Sequence, residues 1–133
     1  MNTYAKWYCR VLWLAIILNA LLGLAALFFP NTTLRAFGQR PSDDILWTAF
    51  GGMALLMIAL LLSPAARDPY RYRLTARYAV IEKGLFALFF LVLWPGYPLF
   101  GILDLAFCLA LWALYWLTFR GHQPEWQPQP SVS

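Results

Sequence analysis

Four apolar stretches, separated by short polar segments, form the dominant pattern of the chain. They run from Val11 to Phe29, Ile45 to Leu62, Tyr78 to Trp94 and Leu99 to Phe119. Each has about 17 to 21 residues, close to the roughly 20 that an α-helix needs to cross the hydrocarbon core of a bilayer. The pattern therefore predicts an all-α integral membrane protein, a four-helix bundle that occupies residues 1–120.

The connections between these stretches carry helix-ending and helix-starting residues. Pro64 follows the second stretch and predicts the end of that helix, because proline stops helices. The first connection, residues 30–44, begins with proline and contains Asn31 and Thr32, which are residues that cap helices. We expect a short interfacial helix there, capped by one of these two side chains.

Composition supports a membrane environment. Hydrophobic residues make up 62% of the 133 residues, charged residues only 12%, and the mean hydropathy is +0.59. A soluble domain does not need so much apolar material to fill its core. The net charge of +4 lies mostly beside the apolar stretches, so we expect the lipid bilayer and not nucleic acid as the partner of the basic residues.

The distribution of basic residues predicts an orientation. Most of them lie at one end of the predicted bundle: Lys6, Arg10, Arg67, Arg71, Arg73, Arg77 and Arg120. The positive-inside rule places this end in the cytoplasm, so both termini are predicted to be cytoplasmic, as in a multi-pass protein of a bacterial inner membrane. The Pro- and Gln-rich tail, residues 121–133, has too little apolar surface to fold alone, and we expect a partner wherever it is ordered.

Polar residues inside a membrane are costly, so those within the stretches are the candidate functional residues. Asn19 lies near the predicted middle of the first helix, on a stripe with Ala15, Gly23 and Ala26. Small residues around one polar group let two helices approach closely and share a hydrogen bond. We interpret Asn19 as a packing residue, with a substrate contact as the alternative.

Glu82 and Lys83 are predicted about one turn inside the cytoplasmic end of the third helix. Lys83 is long enough to extend to the lipid headgroups, and Glu82 is expected in an anchoring network with Arg73 and Arg77. The alternative is that Glu82 is a carboxylate that handles protons.

Asp104 lies inside the fourth predicted helix, about five residues from its outer end, and has no basic neighbour in sequence. Thr48 is expected at a similar depth, and Arg35 or Arg40 is expected to reach Asp104 from the first connection. Two interpretations of Asp104 stay open. It forms a structural ion pair, or it is a site for a ligand or a proton. Glu82 is expected about 15 Å away along the membrane normal, too far for the two carboxylates to form a catalytic pair.

No other residues of the chain predict a metal site, a cofactor or a catalytic pair. The single histidine, His122, follows the last stretch, and Cys9 and Cys108 lie at different predicted depths. No nucleophile and base can be paired from the sequence. We therefore expect no cofactor, no metal and a non-catalytic protein rather than an enzyme.

Several features together resemble small bacterial four-helix membrane proteins of the DoxX-like kind. They are the basic residues that flank the first helix, the Phe29 and Pro30 pair before a short outer helix, Gly51 and Gly52 opening the second span, and Lys83 early in the third. The resemblance implies four spans. Some DoxX-like proteins are linked to quinone-dependent oxidation, so it also makes quinone chemistry conceivable.

Two functional hypotheses follow. The first is a non-catalytic accessory or structural subunit that associates with other membrane subunits or with copies of itself, because the chain is small and has almost no soluble mass. The second is a small transporter or a quinone-interacting protein that uses Asp104 and Glu82.

Overall fold

The computed structural model describes residues 2–121, and this part of the chain is helical without any strand. The helices are α1 (Thr3–Phe28), α2 (Pro30–Ala36), α3 (Leu46–Arg67), α4 (Arg73–Leu88) and α5 (Pro98–Phe119). A five-residue π-helical segment, Phe89–Leu93, continues α4. Three of these helices, α1, α3 and α5, are long and apolar enough to cross a membrane.

Helix α1 begins eight residues before the predicted start at Val11. Asn2 is its N-cap, and the side-chain oxygen of Asn2 accepts a hydrogen bond of 2.7 Å from the backbone N–H of Ala5. Such a cap satisfies one of the free N–H groups at a helix start. The apolar pattern missed these first turns because they include polar residues such as Lys6.

Helix α3 continues past Pro64 to Arg67, so the prediction that it ends at Pro64 was wrong. Proline in a helix removes the N–H that would bond to the carbonyl four residues earlier. Here the hydroxyl of Ser63 donates a 2.8 Å hydrogen bond to that carbonyl, on Leu60. The vacated acceptor is thus satisfied by a neighbouring side chain, and the helix tolerates the proline.

A short helix in the first connection was predicted, and α2 confirms it, although its capping differs. Phe29 occupies the N-cap position without a side-chain hydrogen bond, and Pro30 stands at the first helical position. The side-chain oxygen of Asn31 instead accepts a 2.9 Å hydrogen bond from the N–H of Ser42. Asn31 therefore ties α2 to the chain that leads into α3.

The long helices form a ring in which α1 packs along α3 and α5, and α4 packs along α5. Near the connection of α3 and α4, both helices contribute residues to one buried hydrophobic cluster, among them Ala66 and Ala76. The buried hydroxyl of Tyr8 on α1 donates a 2.7 Å hydrogen bond to the carbonyl of Ala76. Helices α3 and α4 contact each other much less than α1 and α3 do, and residues of both helices line an open space.

Two glycines set the close approach of α1 and α3. A Cβ atom on Gly52 would lie 2.6 Å from the carbonyl oxygen of Gly23, and one on Gly23 would lie 2.7 Å from the carbonyl oxygen of Gly52. Neither position accepts a side chain without separation of the two backbones. This is the small-residue packing that membrane helices use.

The third predicted helix, residues 78–94, starts five residues earlier, at Arg73, and changes character near its end. From Phe89 the hydrogen bonds shift by one residue, and the N–H of Trp94 bonds to the carbonyl of Phe89 at 2.7 Å. The fourth predicted helix, residues 99–119, matches α5 to within one residue. Most of the predicted tail, from His122 onward, lies outside the described residues.

Candidate ligand-binding cleft

A cleft of about 340 Å³ lies among α1, α3, α4 and α5, on the side of the bundle covered by α2. Its walls are mostly apolar. Six aromatic side chains contribute to them: Phe37, Phe86, Phe90, Tyr97, Phe100 and Phe107. The polar side chains of the lining are Asn19, Thr33, Thr48, Glu82, Lys83 and Asp104.

Lys83 is the centre of the polar part of this lining. Only 3% of the residue is exposed. Its Nζ atom donates to Oδ1 of Asn19 at 3.1 Å and to Oδ1 of Asp104 at 3.3 Å, and it lies 3.6 Å from Oε1 of Glu82. One ammonium group on α4 therefore joins α1 and α5 through two hydrogen bonds and also pairs with the carboxylate of Glu82 on its own helix.

The burial of Lys83 corrects two predictions. The side chain does not extend to the headgroup region, because its nitrogen points between the helices to Asn19. Glu82 does not form its ion pair with Arg73 or Arg77. Its carboxylate pairs instead with the adjacent Lys83.

Asp104 is also paired differently from the prediction. Arg35 and Arg40 were expected to reach it from the first connection, but both are exposed, and the ion pair of Asp104 is with Lys83. Thr48 lies in the lining of the same cleft, and its similar depth in the membrane stays a prediction. The ion pair of Asp104 thus joins α4 and α5.

The expected separation of Glu82 and Asp104 was wrong. Both carboxylates lie within 3.6 Å of the same lysine nitrogen. Helix α4 starts at Arg73 and not at Tyr78, so Glu82 lies more than a turn farther along the helix than expected. The long lysine side chain then bridges the remaining distance to Asp104.

Several polar atoms of this cluster lack a hydrogen bond. Within residues 2–121, the amide nitrogen of Asn19 and both carboxylate oxygens of Glu82 are buried without a hydrogen-bond partner. Asn19 is 8% exposed, on the same buried face of α1 as Ala15 and Gly23. It shares a hydrogen bond between helices, as predicted, but only through its oxygen. The cluster therefore contains more hydrogen-bonding groups than its own members satisfy.

The aromatic residues of the cleft were not identified from the sequence as a group. Phe90 and Phe100 have ring centroids 5.5 Å apart, and Phe37 of the α2 segment packs on Phe100 at 4.5 Å. Phenylalanine is ordinary in an apolar span, so its identity gives no signal. The spacing of four between Phe86 and Phe90, which puts both on one helix face, was the available indication.

Comparisons with known proteins give no relative on which to base a function. No family model matches the chain, no characterised protein is significantly similar to it, and no solved structure matches its fold.

Proposed function

We propose that this chain is a multi-pass protein of a bacterial inner membrane that binds a small amphipathic molecule in the cleft, as a transporter or a binding protein. One observation carries the proposal: a mostly apolar cleft is lined at one place by the buried cluster around Lys83. Ligand pockets are typically apolar cavities of about 300–1,000 Å³ with a few placed polar groups.

Four spans with both termini in the cytoplasm are part of this proposal. Helix α4 and its π-helical continuation have 16 and 5 residues, and about 20 helical residues cross a hydrocarbon core of roughly 30 Å. Arg73 and Arg77 lie in the first turns, at the proposed membrane surface. The two deeper charges, Glu82 and Lys83, pair with each other inside the protein, as ionisable groups within membranes generally do.

The pairing of Lys83 indicates which atoms would meet the ligand. An ammonium group has three donors, and three side-chain acceptors surround this one. The amide nitrogen of Asn19 and the carboxylate of Glu82 have no hydrogen bond among the described residues. We expect these groups to contact the polar end of the ligand, while the aromatic walls hold its apolar body.

A quinone is the second candidate ligand. The unpaired amide of Asn19 supports it, because that group can donate to a quinone carbonyl, and the phenylalanine rings can stack on the quinone ring. The DoxX-like resemblance and the accessory-subunit hypothesis both stay predictions.

The proposal is tested by extraction of the protein from native membranes in polymer-bounded lipid discs, followed by mass spectrometry of the bound small molecules. We expect the wild type to retain an amphipathic molecule that is absent from discs without the protein. Ala54→Phe places a ring in the cleft and should remove that molecule. Leu61→Phe is the matched control, because Leu61 is 64% exposed on the outer face of the same helix.

Two results would contradict the proposal. One is a wild-type protein that retains only the bulk phospholipids of the disc. The other is equal retention of the molecule by Ala54→Phe and Leu61→Phe, which would place it on the outer surface and not in the cleft.

A further inference from the structure

We infer that the ligand of the cleft is a lipophilic organic cation, such as an amine or quaternary ammonium group on an apolar body. The inference rests on the proposed ligand-binding function and narrows its ligand class. It starts from a charge count. Among residues 2–121, the charged residues of the cleft lining are Glu82, Lys83 and Asp104, so two carboxylates face one ammonium group.

The geometry distinguishes the two carboxylates by the contact that each makes with Lys83. Asp104 accepts a hydrogen bond from Lys83 at 3.3 Å. Glu82 lies 3.6 Å from the same nitrogen, and neither of its oxygens accepts a hydrogen bond from residues 2–121. Lys83 therefore hydrogen-bonds to Asn19 and Asp104 and forms only the longer ion pair with Glu82, so two ionised carboxylates share one ammonium group and leave one negative charge in excess.

No other cation of the described chain neutralises Glu82. Lys83 is the only basic group in residues 2–121 that forms an ion pair with it. Arg35 on α2 and Arg40, which follows this helix, are exposed and do not line the cleft. Arg73 and Arg77 lie more than one helical turn away on α4. An excess of buried negative charge is unfavourable in a membrane, so a cation supplied by the ligand stabilises the site.

The walls of the cleft fit the same class of ligand. Aromatic faces attract organic cations, because the ring quadrupole is negative at its face. Lys83 already uses this interaction, with its nitrogen 5.8 Å from the centroid of the Phe107 ring. Phe86, Phe90 and Phe100 leave further aromatic surface along the cleft for an apolar body and its charged end.

The test compares three probes of nearly equal shape that differ in charge. They are benzyltrimethylammonium, the neutral isostere neopentylbenzene and the anion phenylmethanesulfonate. Each is isotopically labelled and measured by equilibrium dialysis against the full chain in phosphatidylcholine discs, with empty discs to subtract partition into lipid. We expect the cation to bind the wild type at least tenfold more tightly than either of the other probes.

Two variants separate the role of Glu82 from a general effect of charge. Glu82→Gln keeps the size of the side chain and should weaken cation binding at least tenfold. Asp43→Asn removes the same charge from an exposed residue outside the cleft and should change it less than twofold. Helicity and monodisperse elution confirm that each variant is folded, and the comparison of probes on the wild type needs no variant.

The outcomes distinguish the inference from the proposed function. Equal binding of the cation and the neutral probe, or a preference for the anion, overturns the cationic assignment and leaves the cleft as a binding site. The same is true of cation binding that Glu82→Gln leaves unchanged. Failure of all three probes to bind above the level of empty discs contradicts both the assignment and the proposed function.

Discussion

Lys83 contributes a positive charge to the interior of the helical bundle, and its surroundings explain why it is tolerated there. Its nitrogen has acceptors on α1, α4 and α5 within 3.6 Å. Removal of one partner from a buried ion pair typically costs about 3–5 kcal/mol, because the remaining charge stays buried without compensation. The cluster therefore holds three helices together only as long as it is complete.

Lys83→Met is predicted to destabilise the protein by about 3–5 kcal/mol, because it leaves Glu82 and Asp104 as two adjacent carboxylates without a cation. Thermal unfolding in detergent, followed by tryptophan fluorescence, measures the effect. The triple variant K83M/E82Q/D104N removes all three charges and should recover at least half of the loss. Lys6→Met is the control, because Lys6 is exposed and its replacement should have little effect.

An unchanged melting temperature in Lys83→Met would show that the cluster contributes nothing to stability. A triple variant no more stable than the single one would show that lost packing, and not uncompensated charge, explains the effect.

Sequence reasoning identified the members of this cluster but not their arrangement. Asn19, Glu82 and Asp104 stood out because polar groups inside a membrane are rare. Their pairing depended on where α4 begins. A start at Tyr78 puts Lys83 near the surface, whereas the observed start at Arg73 puts it ten residues, or about 15 Å, along the helix.

At the level of helices, the contact between α1 and α3 depends on Gly23 and Gly52. The carbonyl oxygen of each glycine lies within 2.7 Å of where a Cβ atom on the other glycine would be, so even alanine forces the backbones apart. The apolar pattern predicted the helices themselves, and the small residues around Asn19 predicted a close contact. The pattern did not predict the partner helix, because lipid-facing and protein-facing residues are equally apolar.

Gly52→Ala is predicted to destabilise the bundle by about 1–3 kcal/mol, the usual cost of inserting atoms into a packed contact. Gly51→Ala is the matched control. A Cβ atom there has nothing within 4 Å, and alanine favours the helix by up to about 1 kcal/mol. In thermal unfolding, the melting temperatures of the two variants should therefore shift in opposite directions, or only that of Gly52→Ala should shift. Equal melting temperatures would show that α1 and α3 are not in this close contact.

The π-helical end of α4 was also beyond sequence reasoning. Residues Phe89–Leu93 have no proline or glycine that would interrupt the helix, and their pattern is that of an ordinary apolar turn. In the tertiary structure, Leu91 of this segment packs closely against Gly101 of α5. A Cβ atom on Gly101 would lie 2.6 Å from the Leu91 side chain.

For the whole molecule, the proposed topology makes a direct prediction about the connections. In a cysteine-free background, Cys9 and Cys108 are replaced by serine, and single cysteines are introduced as Gln39→Cys, Tyr72→Cys or Gly96→Cys. With four spans and cytoplasmic termini, a membrane-impermeant maleimide should label Gln39→Cys and Gly96→Cys in intact spheroplasts. It should label Tyr72→Cys only after lysis.

Labelling of Tyr72→Cys and Gly96→Cys from the same side would show that α4 does not cross the membrane. Labelling of Tyr72→Cys alone from outside would reverse the orientation while keeping four spans.

The most direct test of the account is the environment of the Lys83 ammonium group in a bilayer. The chain has only two lysines, Lys6 and Lys83, so protein made with ¹⁵N-lysine gives two Nζ signals in solid-state NMR, and Lys6→Arg assigns them. With ¹³C-labelled aspartate and asparagine, Nζ of Lys83 should correlate with side-chain carbons of both residue types and exchange slowly with water. A Lys83 signal that exchanges as fast as that of Lys6 and shows neither correlation would contradict a buried cluster in the cleft.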